Sequence, residues 1–595
     1  MIIQRLERFR QLMKQHNIDA YIIPTDDFHL SEYTGEYFNS REFMSGFTGS
    51  AGTLVVTAKE AGLWTDSRYF LQAAKELSGS TIQLFKQEGA GVPDIGEYLF
   101  ETLDEGDQVG FDGRVISAHF GGKLKQRLGS KKIVIKHELD LVDRIWEDRP
   151  PLPKNKLYGL DLAYTGLSAL EKLLRLREDM TVDDVTVHIL TSLDDIAWLF
   201  NIRGSDVPYN PVVLCYAVIK KDSAILFIDV HKLDYQVKEM LLGLGVAVKD
   251  YNDIYNYIST MCSSEVVLLD KNKVNYSICQ SLPDGIKVIN RMNPTTIFKA
   301  VKTKVEINNT RIAHIKDGVA VTKLMYWLKS NIGKIKISEK SACDYLESAR
   351  RAHENFVELS FPTICGYQEH GAIVHYQVSK ESDSSLDAEG LLLVDSGGHY
   401  LEGTTDITRT IALGPIDQGI KKQFTAVLKG MLSLSDIRFL YGSTGLNLDI
   451  LARAPLWELN LDYKHGTGHG VGHLLNVHEG PNNIRWRQTH AQPSIVLEEG
   501  MITTNEPGIY IEGSHGIRIE NEMLCQTAEE NEFGKFMYFE TLTFAPIDLD
   551  AIEAEDLSEL DKKHLNTYHQ LVYEKISPYL ADDEKAWLKN YTRPL

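Results

Sequence analysis

Hydrophobic positions along this chain repeat with two different periods, and the changes of period mark its elements. Ile3, Leu6, Phe9, Leu12 and Met13 fall at helical spacing, which predicts an opening helix, and the strand AYIIP follows it. SREFMSGFTGSAG then reads as a loop, and TLVVT and GLWTDSRYF as two more strands, so the chain opens with an α/β unit. RPPLP at 149–153 fixes several φ angles and removes backbone donors, as interdomain linkers do. Beyond it the same order returns in helical LSALEKLLRLRED, strand VTVHIL, the segment DIAWLFNIRGSDVPYNP and strands VVLCYAVI and AILFID. An offset of about 160 residues is too long for a solenoid and predicts two tandem copies of one domain.

From Lys302 the pattern changes again, to a long helical segment on which Val305, Ile312, Ile315, Val319 and Leu324 are expected to share an apolar stripe. The resulting division is 1–150, 151–301 and 302–595. The opening MIIQRLERFRQLMKQHNIDAYIIP mixes Arg and Lys through its apolar positions, unlike a signal peptide. The apolar runs stay well short of the ~18 residues that span a membrane. A soluble, cytoplasmic protein without a membrane partner is expected.

At 595 residues, 43% hydrophobic and 25% charged, the chain has the make-up of a folded globular protein with several cores. A net charge of −20 repels phosphate backbones, which excludes nucleic acid as a partner. The six cysteines are scattered without a CxxC pair, so neither a disulfide framework nor a thiolate metal site is expected, and a reducing compartment suits them.

The ionisable residues suited to catalysis concentrate in the last segment. LLLVDSGGHYLEGTTDITRTI reads as an antiparallel hairpin about Gly397, Gly398 and Gly403, with Asp395 and Asp406 nearly symmetric about the turn and therefore opposite each other. Two facing carboxylates need a neutralising partner, for which a divalent cation is the usual agent. KHGTGHGVGHLLNVHEGP places His465, His469, His473 and His478 in one glycine-rich stretch. Its glycines disfavour the helix of an HExxH site and do not spell GxGxxG, so a metal or acid–base role is the better reading. Glu506 precedes a proline, where the chain runs extended, and GIRIENEMLC alternates so that Arg518, Glu520 and Glu522 share a face. Singly, DSGG is a common loop string and Glu520 reads as a solvated strand position. Together, two Asp, two Glu and one His match an oxygen-rich dinuclear site for hard or borderline ions such as manganese or cobalt.

With these residues in view, the sequence resembles the pita-bread metallopeptidases, and among them the long, three-domain cytosolic aminopeptidase P (Xaa-Pro aminopeptidase) family. The likeness runs through nearly the whole chain, in SREFMSGFTGSAG, LWTDSRYF, DIAWLFNIRGSD, FPTICG, HGAIVHY, DSGG, GTTDITRT, HGTGHGVG, VHEGP, NEPGIY and GIRIEN. It implies an α/β (α+β) fold of two creatinase-type domains followed by a pita-bread catalytic domain with a C-terminal extension. It places metal ligands at Asp395, Asp406, His469, Glu506 and Glu520, with two divalent ions, manganese first and cobalt or zinc next. It also implies active-site histidines at His375 and His478 with His465 nearby, and an Arg518 that orients the carboxylate of Glu520. In such enzymes a hydroxide bridging two metals attacks the carbonyl, Glu506 shuttles a proton to the leaving proline nitrogen, and His375 and His478 stabilise substrate and intermediate. The implied substrates are peptides with proline in second position, and the implied assembly is a homodimer. A prolidase acting on Xaa-Pro dipeptides is the second reading; a non-catalytic peptide-binding module of the same fold is the third. Methionine aminopeptidase, which needs no such front half, ranks lower.

Overall fold

The computed structural model of the chain describes residues 1–87, 89, 91–488 and 494–595. Packing gathers them into two compact units, Met1–Asp161 with Leu167–Thr296, and Leu162–Gly166 with Ile297–Leu595.

In the first unit the opening helix is α1 (Ile2–Gln15), which buries Leu6, Phe9 and Met13. Strands β1 (Ala20–Pro24), β2 (Thr53–Thr57), β3 (Ala61–Thr65), β4 (Ile82–Lys86), β5 (Gln108–Phe111) and β6 (Val134–Lys136) form one sheet in the order β4-β3-β2-β1-β5-β6. The pairs β1–β2 and β2–β3 are antiparallel and the rest parallel. Helix α2 (Ala169–Val182) then precedes β7 (Val187–Leu190), β8 (Cys215–Lys220), β9 (Ala224–Ile228), β10 (Val246–Lys249), β11 (Val266–Leu269) and β12 (Lys287–Asn290). Their order is β10-β9-β8-β7-β11-β12, with the same alternation of antiparallel and parallel pairs. The two sheets thus share one topology, the duplication expected from the sequence.

Two buried side chains help to join the two layers within this unit. Asn275 donates to the Phe28 carbonyl at 2.8 Å, and His29 sits with Nδ1 2.9 Å from the Thr191 carbonyl and Nε2 2.7 Å from the Tyr251 hydroxyl. Part of the expected SREFMSGFTGSAG loop is helical: Ser40–Ser45 makes a short turn that buries Arg41 and Met44 and ends at Gly46, whose φ of 73° suits glycine.

The second unit opens with α3 (Lys304–Asn331), begun by a capping box between Thr303 and Glu306. The expected stripe is only partly right. Val319 and Leu324 are buried and Ile315 packs against the core, but Val305 and Ile312 are exposed. The buried face also contains His314 and Asp317, which an apolar pattern cannot register: Asp317 is held by Arg350 at 2.6 Å and His314 lies 3.1 Å from Glu522. Helix α4 (Glu339–Arg351) follows, and then β13 (Ile364–Tyr367), β14 (Leu391–Ser396) and β15 (Ile407–Ala412), an antiparallel sheet in that order. Strands β16 (Arg438–Leu440), β17 (Ile502–Asn505), β18 (Asn521–Asn531) and β19 (Gly534–Thr541) form a second sheet in the order β16-β19-β18-β17. Helix α5 (Gln418–Ser435) and the late helix α6 (Glu559–Ile576) share a core through Phe424, Val427, Leu428, Leu565 and Val572, so the C-terminal extension is integral to this unit. Among the described residues, no helix is long and apolar enough to cross a membrane.

The first unit should be acid-sensitive. Burial pushes His29 down to about 3 and His188, on β7, down to about 4. The unfolded chain takes up these protons near pH 6.5, whereas the folded chain refuses them until the lower values. Acidification from pH 6.5 to 4 therefore removes up to about 1.4 kcal/mol per pH unit for each histidine. Thermal unfolding followed across this window should show a falling midpoint, and His188→Asn should flatten the slope.

Candidate metal centre

The site in the second unit is built where strand ends and one tight ribbon meet. Asp395 lies near the end of β14, opposite Ile364 on one side and Thr408 on the other. The direct opposition of Asp395 and Asp406 expected from the sequence is therefore corrected. Asp406 immediately precedes β15, two residues before Asp395's partner, because the chain between the strands forms its own small pairing of Gly398–Tyr400 with Gly403–Thr404. The offset is even, so the diagonal pair keeps one side of the sheet.

The glycine-rich stretch is not helical, as its composition predicts. Gly468–His469 pairs with Asn483–Ile484. A Cβ at Gly468 would lie 1.9 Å from the Thr504 carbonyl oxygen and one at Gly470 2.1 Å from that of Glu479, so only glycine lets the ribbon come this close to its neighbours. His469 Nδ1 faces the Gly470 carbonyl at 3.0 Å, so Nδ1 carries a proton and Nε2 is the ring nitrogen turned to the carboxylates. That Nε2 lies 3.6 Å from Asp406 Oδ2 and 3.5 Å from Glu506 Oε1. Asp406, His469 and Glu520 each offer one donor atom, all within 4.8 Å of one another.

Around this cluster the carboxylates are gripped individually. Thr408 donates to Glu520 Oε2 at 2.7 Å, and Thr504 to Glu506 Oε1 at 3.2 Å. Arg518 closes the ribbon Gly508–Ile511/His515–Arg518 and places Nη2 2.6 Å from Asp395 Oδ2 and Nη1 2.6 Å from the Tyr510 hydroxyl. The carboxylate it bonds directly is thus Asp395 and not Glu520, because the pairing of Arg518 with Gly508 aims its side chain across to β14. His465 is also brought in: Nδ1 faces the Gly466 carbonyl at 2.7 Å, Nε2 faces the Tyr510 hydroxyl at 2.8 Å, and Glu506 Oε2 is 3.9 Å away. The His478 ring stands edge-on to that of His469 at 4.4 Å. His375 lies in a turn next to Val374, whose carbonyl is 3.5 Å from Arg518 Nη2. Tyr510, Thr408 and Thr504 are the supporting residues that the sequence reading passed over. Their signal was position alone: Tyr510 is four residues after Glu506, and Thr408 and Thr504 are each two residues from a candidate carboxylate.

The electrostatics show which charge such a cluster favours. Burial, with Glu520, Asp395 and Glu506 nearby, pushes the Asp406 carboxyl well above the usual range, and burial with Glu506 and Asp395 does the same to Glu520. Glu506 is pushed up to about 7 by burial, against the lowering influence of Arg518. Burial alone would lower Arg518, but Tyr510, Asp395 and Glu506 outweigh it and raise it. Asp395 Oδ1 and Asp406 Oδ1 are buried without a hydrogen-bond partner among the described residues. Orphaned carboxylate oxygens in a cluster that also holds an imidazole fit divalent cations of hard or borderline character.

Comparisons with known proteins give the family. Residues 5–144 and 148–306 each match the creatinase/prolidase N-terminal domain, 308–527 match metallopeptidase family M24, and 535–595 match the C-terminal region of that family's peptidases. A probable Xaa-Pro aminopeptidase P of Talaromyces marneffei is 41% identical over 100% of this chain and 92% of its own. Xaa-Pro aminopeptidase 1 of Dictyostelium discoideum is 38% identical over 100% and 97%. Among solved structures, an X-prolyl aminopeptidase of Caenorhabditis elegans, described as a cytosolic enzyme with a di-nuclear active site, superposes with a TM-score of 0.95 at 32% identity, covering 100% of both chains. The chain belongs to metallopeptidase family M24, in its Xaa-Pro aminopeptidase P branch.

The repulsion among the carboxylates gives a test. After exhaustive chelation, Asp406→Asn should unfold at a higher temperature than the parent chain, by about 2 °C or more per kcal/mol of repulsion relieved, while retaining less metal on reconstitution. Calorimetry and elemental analysis read the two effects.

Proposed function

We propose that this chain is an Xaa-Pro aminopeptidase, a metallo-exopeptidase that hydrolyses the bond between an N-terminal residue and a following proline. The observation that supports it most is the convergence of Asp395, Asp406, His469, Glu506 and Glu520 in a chain related along its whole length to proteins of that name. Asp395, Asp406, His469, Glu506 and Glu520 are the metal ligands of the proposal. Bound there, two divalent cations acidify water and polarise the scissile carbonyl. Manganese is the first choice because four carboxylates and one imidazole form an oxygen-rich set, with cobalt or zinc as alternatives.

The protein's own groups do the rest. The Gly470 carbonyl keeps a proton on His469 Nδ1, so Nε2 is the nitrogen through which this ring would hold a cation. Glu506 takes up a proton and delivers it to the proline nitrogen, a role open to a carboxylate that lies within reach of both His469 and His465. His375 and His478 donate to the substrate and to the carbonyl oxygen as it gains charge. His465 and Arg518 act through Tyr510: the phenol accepts from Arg518 and donates to His465 Nε2, so the ribbon, Asp395 and the histidine loop keep one relative placement. A tertiary amide to proline has no N–H to grip, so a substrate is held by its free amine and its proline ring instead. The protein is further proposed to be cytosolic and to act as a homodimer, readings that rest on the resemblance to the cytosolic aminopeptidases P; sedimentation at micromolar concentration should show twice the chain mass.

Turnover of a matched Xaa-Pro-Xaa peptide and Xaa-Pro dipeptide, with manganese and after chelation, tests the assignment. Cleavage of the longer peptide, stopped by chelation and restored by metal, is the expected result; cleavage of the dipeptide alone makes the protein a prolidase. Glu506→Ala should keep the fold and lose hydrolysis, whereas near-normal turnover sinks the mechanism. His478→Ala should lower kcat by about 100-fold or more, the loss of one donor worth about 3 kcal/mol to developing negative charge.

A further inference from the structure

Helix α4 begins at a glutamate that neither the sequence motifs nor the metal cluster explains. Glu339 is fully buried. Its Oε1 accepts from the Tyr367 backbone N–H at 2.8 Å and from His370 Nδ1 at 2.9 Å. Its Oε2 accepts from the Tyr376 hydroxyl at 2.9 Å and from the Ser384 N–H at 3.1 Å, and its own N–H returns a bond to the Ser384 carbonyl at 3.0 Å. All four donors belong to one stretch of chain, from the end of β13 to Ser384, and that stretch includes His375. The two ring donors flank the histidine. His370 and Tyr376 stack at 4.6 Å between centroids, and the turn between them is closed by Ile373 N–H on the His370 carbonyl at 3.1 Å and Tyr376 N–H on the Ile373 carbonyl at 3.0 Å. On its other side the turn meets the metal cluster's own support, through the Val374 carbonyl and Arg518.

We propose that Glu339 is a positioning residue for peptide hydrolysis: through Tyr367, His370, Tyr376 and Ser384 it fixes the turn that presents His375, without itself touching a reacting atom. The proposal rests on the reading of His375 as an active-site donor. A carboxylate with four donors is satisfied in a buried site, whereas an apolar replacement leaves those donors unpaired and an amide turns one of its own donors towards them. Glutamine is the sharpest probe, since one of its two ends must turn an NH2 group towards a pair of N–H or O–H groups. An anionic residue at a helix start also supports the helix itself, so loss of stability alone does not distinguish the two roles.

The test uses the metal-loaded enzyme and an Xaa-Pro-Xaa peptide. kcat, KM, bound metal and thermal unfolding are measured for Glu339→Gln, in the parent chain and in a His375→Ala background. In the parent, kcat should fall by up to about 100-fold, the scale of a roughly 1 Å misplacement, with KM and metal content little changed. In the His375→Ala background the same substitution should change kcat by less than about threefold, because the group it positions is already gone. An unchanged kcat in the parent overturns the proposal, and so does an equal loss in both backgrounds, which is the result of general loosening. If His375→Ala alone leaves turnover intact, the role of His375 falls and takes the proposal with it, while metal-dependent cleavage still stands. Should Glu339→Gln fail to fold, Tyr376→Phe removes one hydroxyl from the same network. Its smaller loss of kcat should likewise vanish in the His375→Ala background, and an equal loss in both overturns the proposal.

Discussion

Four carboxylates brought together inside a protein repel one another, and this repulsion is the constraint on which the second unit depends. Asp395, Asp406, Glu506 and Glu520 share a region in which burial and mutual charge push Asp406 and Glu520 far from their usual ionisation. Such a cluster is eased first where neighbouring donors hold its carboxylates and second where protons or cations offset the charge. The surrounding chain meets the first condition with Arg518 on Asp395, Thr408 on Glu520 and Thr504 on Glu506. Its donor chemistry meets the second with orphaned Asp395 and Asp406 oxygens and an imidazole whose Nε2 faces Asp406 and Glu506. Strain of this kind at a site is how a fold prepares to bind a charged group more tightly than it binds itself.

The scaffold makes the convergence feasible because the strands impose direction. β14 and β15 bring Asp395 and Asp406 to one side through an even offset, and the short glycine-bearing ribbons press against β17 closely enough to deliver His469. The supports form a hierarchy reaching outward from the cluster. Tyr510 joins Arg518 to His465, and the turn bearing His375 touches Arg518 on one side and Glu339 on the other. The C-terminal helix α6 contributes to the same core as α5, so the tail completes this unit's packing.

The chain's own pattern made legible the duplicated front half, the lack of a helix in the histidine stretch and a set of five candidate ligands. These are legible because alternation, helical spacing and glycine content are local properties, and because the candidate Asp, Glu and His positions sit in short glycine- and proline-bearing motifs of the last segment. Tertiary structure alone decided the rest. It moved Asp395 from an expected partner at Asp406 to Thr408, since register depends on how many residues the intervening pair of short strands consumes. It turned Arg518 to Asp395 instead of Glu520, since a side chain's reach across two sheets is invisible in a one-dimensional pattern. It exposed Val305 and Ile312 while burying His314, Asp317 and Glu339, since a buried polar group is acceptable wherever a partner from a distant segment meets it. A sequence records which groups are present; only the folded chain sets which of them meet, because that depends on contacts between residues far apart along the chain.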